Sequence, residues 1–212
     1  MSLIATRHSL HLLAERVISP LRVQVTGNEI ALQARPDGFG TPDLPQGGWV
    51  GVAGVDVVRV GQFGEERRAR ITSLADAAVV VGLEGGVEDA HLEVDEESAA
   101  RLASAWAIGE AALAQLEGHD VEPIHLWPEH FDIATVEGAG DARANYGVSP
   151  GDDDHDEPYA YVGPWTAPGD GDPFWNATAF AGAEGPVESV EQVLAFFREG
   201  QEKLRRRGGS GR

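Results

Sequence analysis

The stretch that decides the fold is DEESAARLASAWAIGEAALAQLEG, residues 95–118. Its acidic first turn suits the positive end of a helix dipole, and its closing glycine is a typical helix stop. Apolar or small residues recur at steps of four, three, four and three, in one stripe of Leu102, Trp106, Gly109, Leu113 and Leu116. The spacing predicts a helix over 95–117 with one buried face, and a close approach to its neighbour at the glycine.

Upstream of this helix the period of the apolar residues changes several times. A helix is predicted over 6–18, and alternation then predicts a hairpin of strands 21–25 and 30–34 around Gly27 and Asn28. Proline and glycine predict a loop over 36–48. Further strands are expected over 49–60 and 67–72, and Ser73 is expected to cap a short helix through Val81, where the valines also allow a strand.

Downstream, strands are predicted near 124–136, 143–149 and 158–163, followed by a helix over 187–206 with a stripe from Val190 to Leu204. Short turns between strands favour antiparallel pairing. We therefore predict an α+β fold, with antiparallel sheets and packed helices in one compact domain. This domain would cover 1–207, with halves of about 1–92 and 93–207, and a disordered tail over 208–212.

The composition of the chain excludes several kinds of site and partner. The chain has 35 acidic and 16 basic residues, a net charge of −19, which predicts no binding to nucleic acid. The absence of cysteine excludes disulfides, thiolate metal sites and thiol nucleophiles. No signal peptide or apolar run of about 20 residues is recognisable, so we expect a cytoplasmic protein without a membrane partner. The single lysine among many arginines indicates a GC-rich bacterial genome.

Candidate site residues concentrate in the stretch 125–176, where histidines, carboxylates and aromatic residues occur together. On an extended strand His130 and Asp132 would share a face, and imidazole with carboxylate is a common ligand set for zinc, manganese or iron. His125 has the opposite parity to Asp132 and would need a bend near Pro128. The alternative interpretation is that His130 and Asp132 form a hydrogen-bonded pair at a strand edge.

An acidic segment follows, in which Asp152, Asp154 and Asp156 alternate as at the start of a calcium-binding loop. Glu157 stands where an EF-hand needs glycine, and Gly163 where it needs glutamate, so a solvated acidic turn is the alternative. The G-x-S-x-G pattern at 147–151 does not indicate a serine hydrolase, because proline, glycine and aspartates follow the serine instead of a helix.

Several short motifs occur in a fixed order: SLHLL at 9–13, PIHLWPEHFDIA at 123–134, and SPGD at 149–152 leading to EPYAY at 157–161. In this order they resemble a family of bacterial proteins, frequent in actinobacteria, for which no activity is established. The resemblance implies that His125, Asp132, Asp152 and Glu157 occupy motif positions. It also implies that His130, Asp154 and His155 are particular to this sequence.

These patterns predict a protein that binds a divalent metal ion or a small polar ligand, with hydrolysis as the chemistry such a site would support. We expect His125 to converge with Asp132 or Asp152. The alternative is a binding or structural protein with an aromatic-lined surface and no catalysis, so the sequence leaves enzymatic activity open. The candidate ligands are His125, His130, Asp132, Asp152, Asp154, His155 and Glu157, and the candidate aromatic lining is Trp127, Tyr159, Tyr161 and Trp165.

Overall fold

A computed structural model describes residues 2–118, 120–169 and 171–209. The chain divides into two compact units: Met1–Ala107 with Leu126–Phe131, and Ile108–His125 with Asp132–Arg212. The first change of unit therefore falls inside the long helix predicted over 95–117. None of the described helices is long and apolar enough to cross a membrane.

The first unit begins with a helical segment in three parts: α1 over Leu3–Leu13, a π-helical turn over Ala14–Ile18 and α2 over Ser19–Thr26. The strand predicted over 21–25 is therefore wrong. Pro20 lies in the first turn of α2, where a missing N–H is tolerated, and the π-helical turn before it shifts the hydrogen-bond pattern. The buried residues Leu10, Ala14, Val17 and Leu21 continue one helical stripe through this segment.

A five-stranded antiparallel sheet follows, with its strands adjacent in chain order. Its strands are β1 Gln33–Arg35, β2 Gly38–Gly40, β3 Trp49–Ala53, β4 Asp56–Val60 and β5 Glu66–Arg70. The segment 49–60 is thus two strands, because Gly54 with a φ of 61° allows a tight turn between them. Strand β2 lies within the segment predicted to be a loop.

Two helices complete this part of the chain. Helix α3, Leu74–Val81, begins as predicted at Ser73, whose hydroxyl accepts a hydrogen bond from the N–H of Asp76 at 3.2 Å. Helix α4, Glu96–Leu113, is shorter than predicted at its carboxyl end, but the stripe from Leu102 to Leu116 is buried. Within the first unit, Trp106 packs edge-on against Phe39 and Phe131. An aromatic cluster therefore forms the centre of this unit.

The second sheet has the strand order β10-β9-β8-β7-β6 and is also antiparallel where pairings are described. Its strands are β6 His125–Trp127, β7 Asp132–Glu137, β8 Ala144–Ser149, β9 Tyr159–Pro164 and β10 Ala183–Pro186, with a 3₁₀ turn at Gly140–Ala142. Strand β10 was not predicted. Helix α5, Val190–Gly209, extends two residues into the segment predicted to be disordered, and residues 210–212 lie outside the described residues.

Helices cover one face of the β7–β10 part of this sheet. A Cβ on Gly109 would stand 2.8 Å from Ile133 and 2.9 Å from Val148, which confirms the predicted close approach. Phe197 of α5 meets Tyr146, with ring centroids 5.8 Å apart. The pleat therefore turns the alternate residues of these strands to the opposite face, and the prediction of an α+β fold with antiparallel sheets is confirmed.

Candidate functional site

The face of the second sheet opposite α5 carries polar side chains, which we call the polar face. It is defined by Asp132 on β7, Tyr159 and Tyr161 on β9, and Glu184 on β10. The register explains their common face, because Tyr161 pairs with both Gly147 and Glu184. The ring of Tyr161 occupies the space above Gly147, where a Cβ would approach its hydroxyl to 2.6 Å.

The loop between β8 and β9 folds over one end of this face. It turns at Gly151, which has a φ of 101°, and closes through the hydrogen bond from the N–H of Asp152 to the carbonyl of His155 at 2.9 Å. One carboxylate oxygen of Asp152 accepts from the backbone N–H groups of Asp154 and His155, both at 2.9 Å. Asp152 thus shapes the loop, consistent with the turn-forming role of aspartate.

His155 lies between two carboxylates. Its Nδ1 is 2.9 Å from Oδ1 of Asp152, and its Nε2 is 3.1 Å from Oε2 of Glu184. The ring of Tyr159 lies beside it at a centroid distance of 4.2 Å, and the Tyr159 hydroxyl donates to Oδ2 of Asp152 at 2.6 Å. These four side chains, Asp152, His155, Tyr159 and Glu184, form a connected network that we call the His155 box.

The box favours a charged imidazole. Burial alone would lower the pKa of His155, but hydrogen bonds to Asp152 and Glu184 and their negative charges outweigh it and raise the pKa above 6.5. For Asp152, burial acts to raise the pKa, and the hydrogen bonds from Tyr159 and His155 lower it below 3.8. The two carboxylates therefore hold the proton of His155 more tightly than a free imidazole holds its proton.

Asp132 forms a second polar pair on the same face. It is 7% exposed, and one of its carboxylate oxygens accepts a hydrogen bond from the Tyr161 hydroxyl. Burial and the nearby negative charge of Asp132 raise the pKa of Tyr161 well above 10. Phe180 meets the Tyr161 ring edge-on, at 6.2 Å between ring centroids. Asp132 and Tyr161 are thus engaged in an interior pair.

The other predicted residues occupy varied positions. His130 is exposed in the turn before β7, and Phe131 beside it has a left-handed φ of 58°, so the predicted extended strand through 130–132 is wrong. Trp127 and His130 belong to the first unit. His125 begins β6 and is half-buried, and its convergence with Asp132 or Asp152 stays a prediction. Asp154 and Glu157 are exposed in the acidic loop.

Trp165 lies just beyond the far end of β9 from Tyr159. It is 60% exposed, and its indole N–H donates to Asn145 at 2.9 Å while Arg143 stacks over its ring at 4.3 Å. Tyr159 and Tyr161, by contrast, share the polar face. Of the predicted aromatic lining, Tyr159 and Tyr161 therefore share a face, and Trp165 lies beyond the end of their strand.

Sequence reasoning missed Glu184. Its strand is short and contains no apolar alternation, and it stands 29 residues from His155 in the chain. Asn176 fixes its backbone: the side-chain amide accepts from the Glu184 N–H at 2.8 Å and donates to its carbonyl at 3.1 Å. No local motif signals this placement, because it follows from strand register.

A surface groove adjoins the His155 box. Its volume is about 320 Å³, and its wall includes His155, Pro158, Tyr159, Glu184 and Pro186, with the acidic residues Asp156 and Glu157 beside them. We call it the His155 groove. Among the residues that the structure describes, no group of three or more histidine, aspartate or glutamate side chains is arranged to hold a metal ion, so the metal expectation gains no support.

No protein-family model matches the chain, and no curated protein or solved structure matches it. The resemblance to the actinobacterial family stays a prediction.

Proposed function

We propose that this protein binds a small organic cation in the His155 groove and performs no covalent chemistry there. The observation that carries the proposal is the groove itself, which combines tyrosine and proline walls with carboxylates at its margin. A volume of about 320 Å³ is at the lower end of the range of small-molecule sites. A ligand of this size would combine one charged group with a short apolar part.

Charge balance favours a cation. In the His155 box two carboxylates face one histidine ring, so at least one negative charge is in excess even when that ring is charged. Asp156 and Glu157 add two further carboxylates beside the groove. An ammonium or guanidinium group would gain from these charges and from the face of the Tyr159 ring.

The same geometry argues against hydrolysis by His155. A general base needs a ring nitrogen with a free lone pair directed at the reacting proton. Both nitrogens of His155 are at hydrogen-bond distance from carboxylates, and the box favours the doubly protonated ring. The histidine therefore joins the acidic loop to β10 and shapes the groove wall.

Isothermal titration of the full chain with phenethylammonium tests this proposal, with 2-phenylethanol as the neutral analogue. We expect the ammonium ion to bind at least about tenfold more tightly, because one favourable charge contact is worth about 1.4 kcal/mol or more. Glu184→Gln should weaken binding by a similar factor. Asp153→Asn, which removes a charge from the same loop outside the groove wall, should leave affinity unchanged.

Equal binding of the alcohol and the ammonium ion would overturn the cation assignment. Two further measurements address the other functions. Stabilisation against heat by Zn²⁺ or Mn²⁺ that is lost in Asp152→Asn would show a metal site instead. Hydrolysis of p-nitrophenyl acetate that is lost in His155→Gln would show an enzyme.

A further inference from the structure

Strand β5, in the first unit, is an edge strand whose outer side is open. The bonds from Gly61 N–H to Glu65 carbonyl at 2.8 Å and from Ile71 N–H to Val55 carbonyl at 2.9 Å fix the phase of its pairing with β4. Alternate residues of an antiparallel strand bond to one neighbour, so Arg67 and Ala69 bond to β4. The backbone groups of Glu66, Arg68 and Arg70 therefore point to the open side.

On β10, the last strand of the second sheet, a side chain occupies outer backbone groups. Asn176 lies against the outer side of β10 and exchanges two hydrogen bonds with the backbone of Glu184. Within the described residues, the outer backbone groups of Glu66, Arg68 and Arg70 form no such hydrogen bond. Strand β5 thus offers three residues to which another strand can pair.

The side chains of β5 are basic although the chain is strongly acidic. Four of its five residues are exposed, and three of the five are Arg67, Arg68 and Arg70. Arg68 is shared between Glu66 at 2.7 Å and Asp56 at 3.4 Å. In the part of the chain that the structure describes, Arg67 and Arg70 form no ion pair, so their charges are available to an incoming strand.

An exposed aromatic residue stands at the end of this edge. Phe63, at the tip of the hairpin between β4 and β5, is 89% exposed. The tip is ordered, since the Phe63 N–H donates to the Glu65 carboxylate at 3.1 Å. Aromatic residues and arginine are the types enriched at protein interfaces. The hairpin therefore places an apolar contact beside the basic edge.

We propose that β5 is a docking edge for an extended acidic segment of a partner protein, which adds to the sheet as a sixth strand. Its backbone would pair with Glu66, Arg68 and Arg70, and its carboxylates would face the arginines. A second copy of this chain fits less well, because antiparallel pairing of two β5 strands about Arg68 places the two Arg68 side chains opposite each other. At physiological salt the net charge of −19 is screened beyond about 8 Å, so the local arginines dominate.

The test measures binding of a fluorescein-labelled peptide to the full chain by fluorescence polarisation in 0.15 M salt. The peptide has eight residues, in which glutamate and valine alternate. We expect saturable binding that falls at least tenfold when the peptide carries N-methyl groups along both edges, because these remove every N–H group that could pair with β5. The Arg67→Glu/Arg70→Glu variant should bind the peptide at least tenfold more weakly, and Arg198→Glu, which changes an exposed arginine of α5, should change binding little. In the bound state, the amides of Glu66, Arg68 and Arg70 should gain protection from hydrogen exchange.

Absence of binding would overturn the proposal and leave the arginines as charges that merely keep this edge from aggregating. Equal binding of the N-methylated peptide would also overturn it, because general electrostatic attraction would then suffice. Equally tight binding of a thymidine oligonucleotide would indicate a nucleic-acid surface instead. The N-methyl comparison uses the unmutated protein, so it decides the question even if the double variant fails to fold.

Discussion

Two histidines, one in each unit, show how differently the same side chain is used in this molecule. His11 of α1 lies flat on Phe131, with ring centroids 5.1 Å apart and an interplanar angle of 2°. His155 lies between the carboxylates of Asp152 and Glu184. Burial lowers the pKa of His11 below 6.5, whereas the paired carboxylates raise that of His155 above it.

The groups around a histidine therefore decide which protonation state is favoured, and its presence in a motif does not. Burial of His11 favours the neutral ring, which packs flat against Phe131. The carboxylates around His155 favour the charged ring, so it acts as a cation that joins a loop to a strand. The sequence predicts His155 as a candidate metal ligand, whereas its surroundings in the fold favour a hydrogen-bonded link between two carboxylates.

The largest expected effect comes from breaking the apolar environment. Phe131→Ala should lower the free energy of unfolding by about 3–5 kcal/mol, because a fully buried ring is lost together with its contacts to His11, Phe39 and Trp106. Urea denaturation measures this change. Phe63→Ala is the matched control, and it should change stability by no more than about 0.5 kcal/mol because Phe63 is exposed. Similar losses in both variants would contradict the assigned core.

Breaking the charged environment should have the next largest effect. His155→Gln should cost about 2 kcal/mol at pH 5.5, because two hydrogen bonds to carboxylates lose their charged donor. The folded pKa of His155 is raised, so its contribution is complete below pH 6.5 and is lost as the pH rises through the folded value. The difference in unfolding free energy between wild type and variant should therefore shrink at higher pH. A difference that grows with pH would refute the imidazolium assignment.

A smaller loss of stability is expected when the hydroxyl of Tyr159 is removed from the His155 box. Tyr159→Phe removes the hydroxyl that donates to Asp152 at 2.6 Å, and we expect a loss of about 1 kcal/mol. The pKa of Asp152 should rise, since one of the hydrogen bonds that lower it is gone. NMR titration of the Asp152 carboxyl carbon measures this shift. An unchanged pKa would mean that the hydroxyl does not stabilise the carboxylate.

The smallest expected effect concerns His11, whose contribution to stability changes with pH in the direction opposite to that of His155. His11 binds its proton less readily in the folded state than in the unfolded state, so the stability it contributes is complete above pH 6.5 and is lost as the pH falls through its folded pKa. His11→Phe should remove this dependence while keeping a ring against Phe131. Urea denaturation of both proteins from pH 5 to 7.5 tests it. If the variant kept the full dependence, the neutral state of His11 would not be its source.

Much of the fold was predictable because the spacing of apolar residues in a helix or strand is visible among neighbouring residues of the chain. The stripe from Leu102 to Leu116, the cap at Ser73 and strands β8 and β9 follow from neighbouring residues alone. The exception is α2, where five alternating residues after Pro20 imitate a strand. The buried stripe through Leu21 and the π-helical turn before Pro20 outweigh that local pattern.

The sequence by itself determined the α+β class, and it places Asp152, His155 and Tyr159 close together because a single loop and the start of the next strand carry all three. Only the tertiary structure decided which groups these residues contact. Glu184 arrives from β10 through strand register, and its carboxylate engages the second nitrogen of His155. Likewise the turn at Phe131 ends the extended strand that would have aligned His130 with Asp132. Periodicity is a property of adjacent residues, whereas the protonation of a side chain depends on which distant charges the fold brings within 3 Å or so of it.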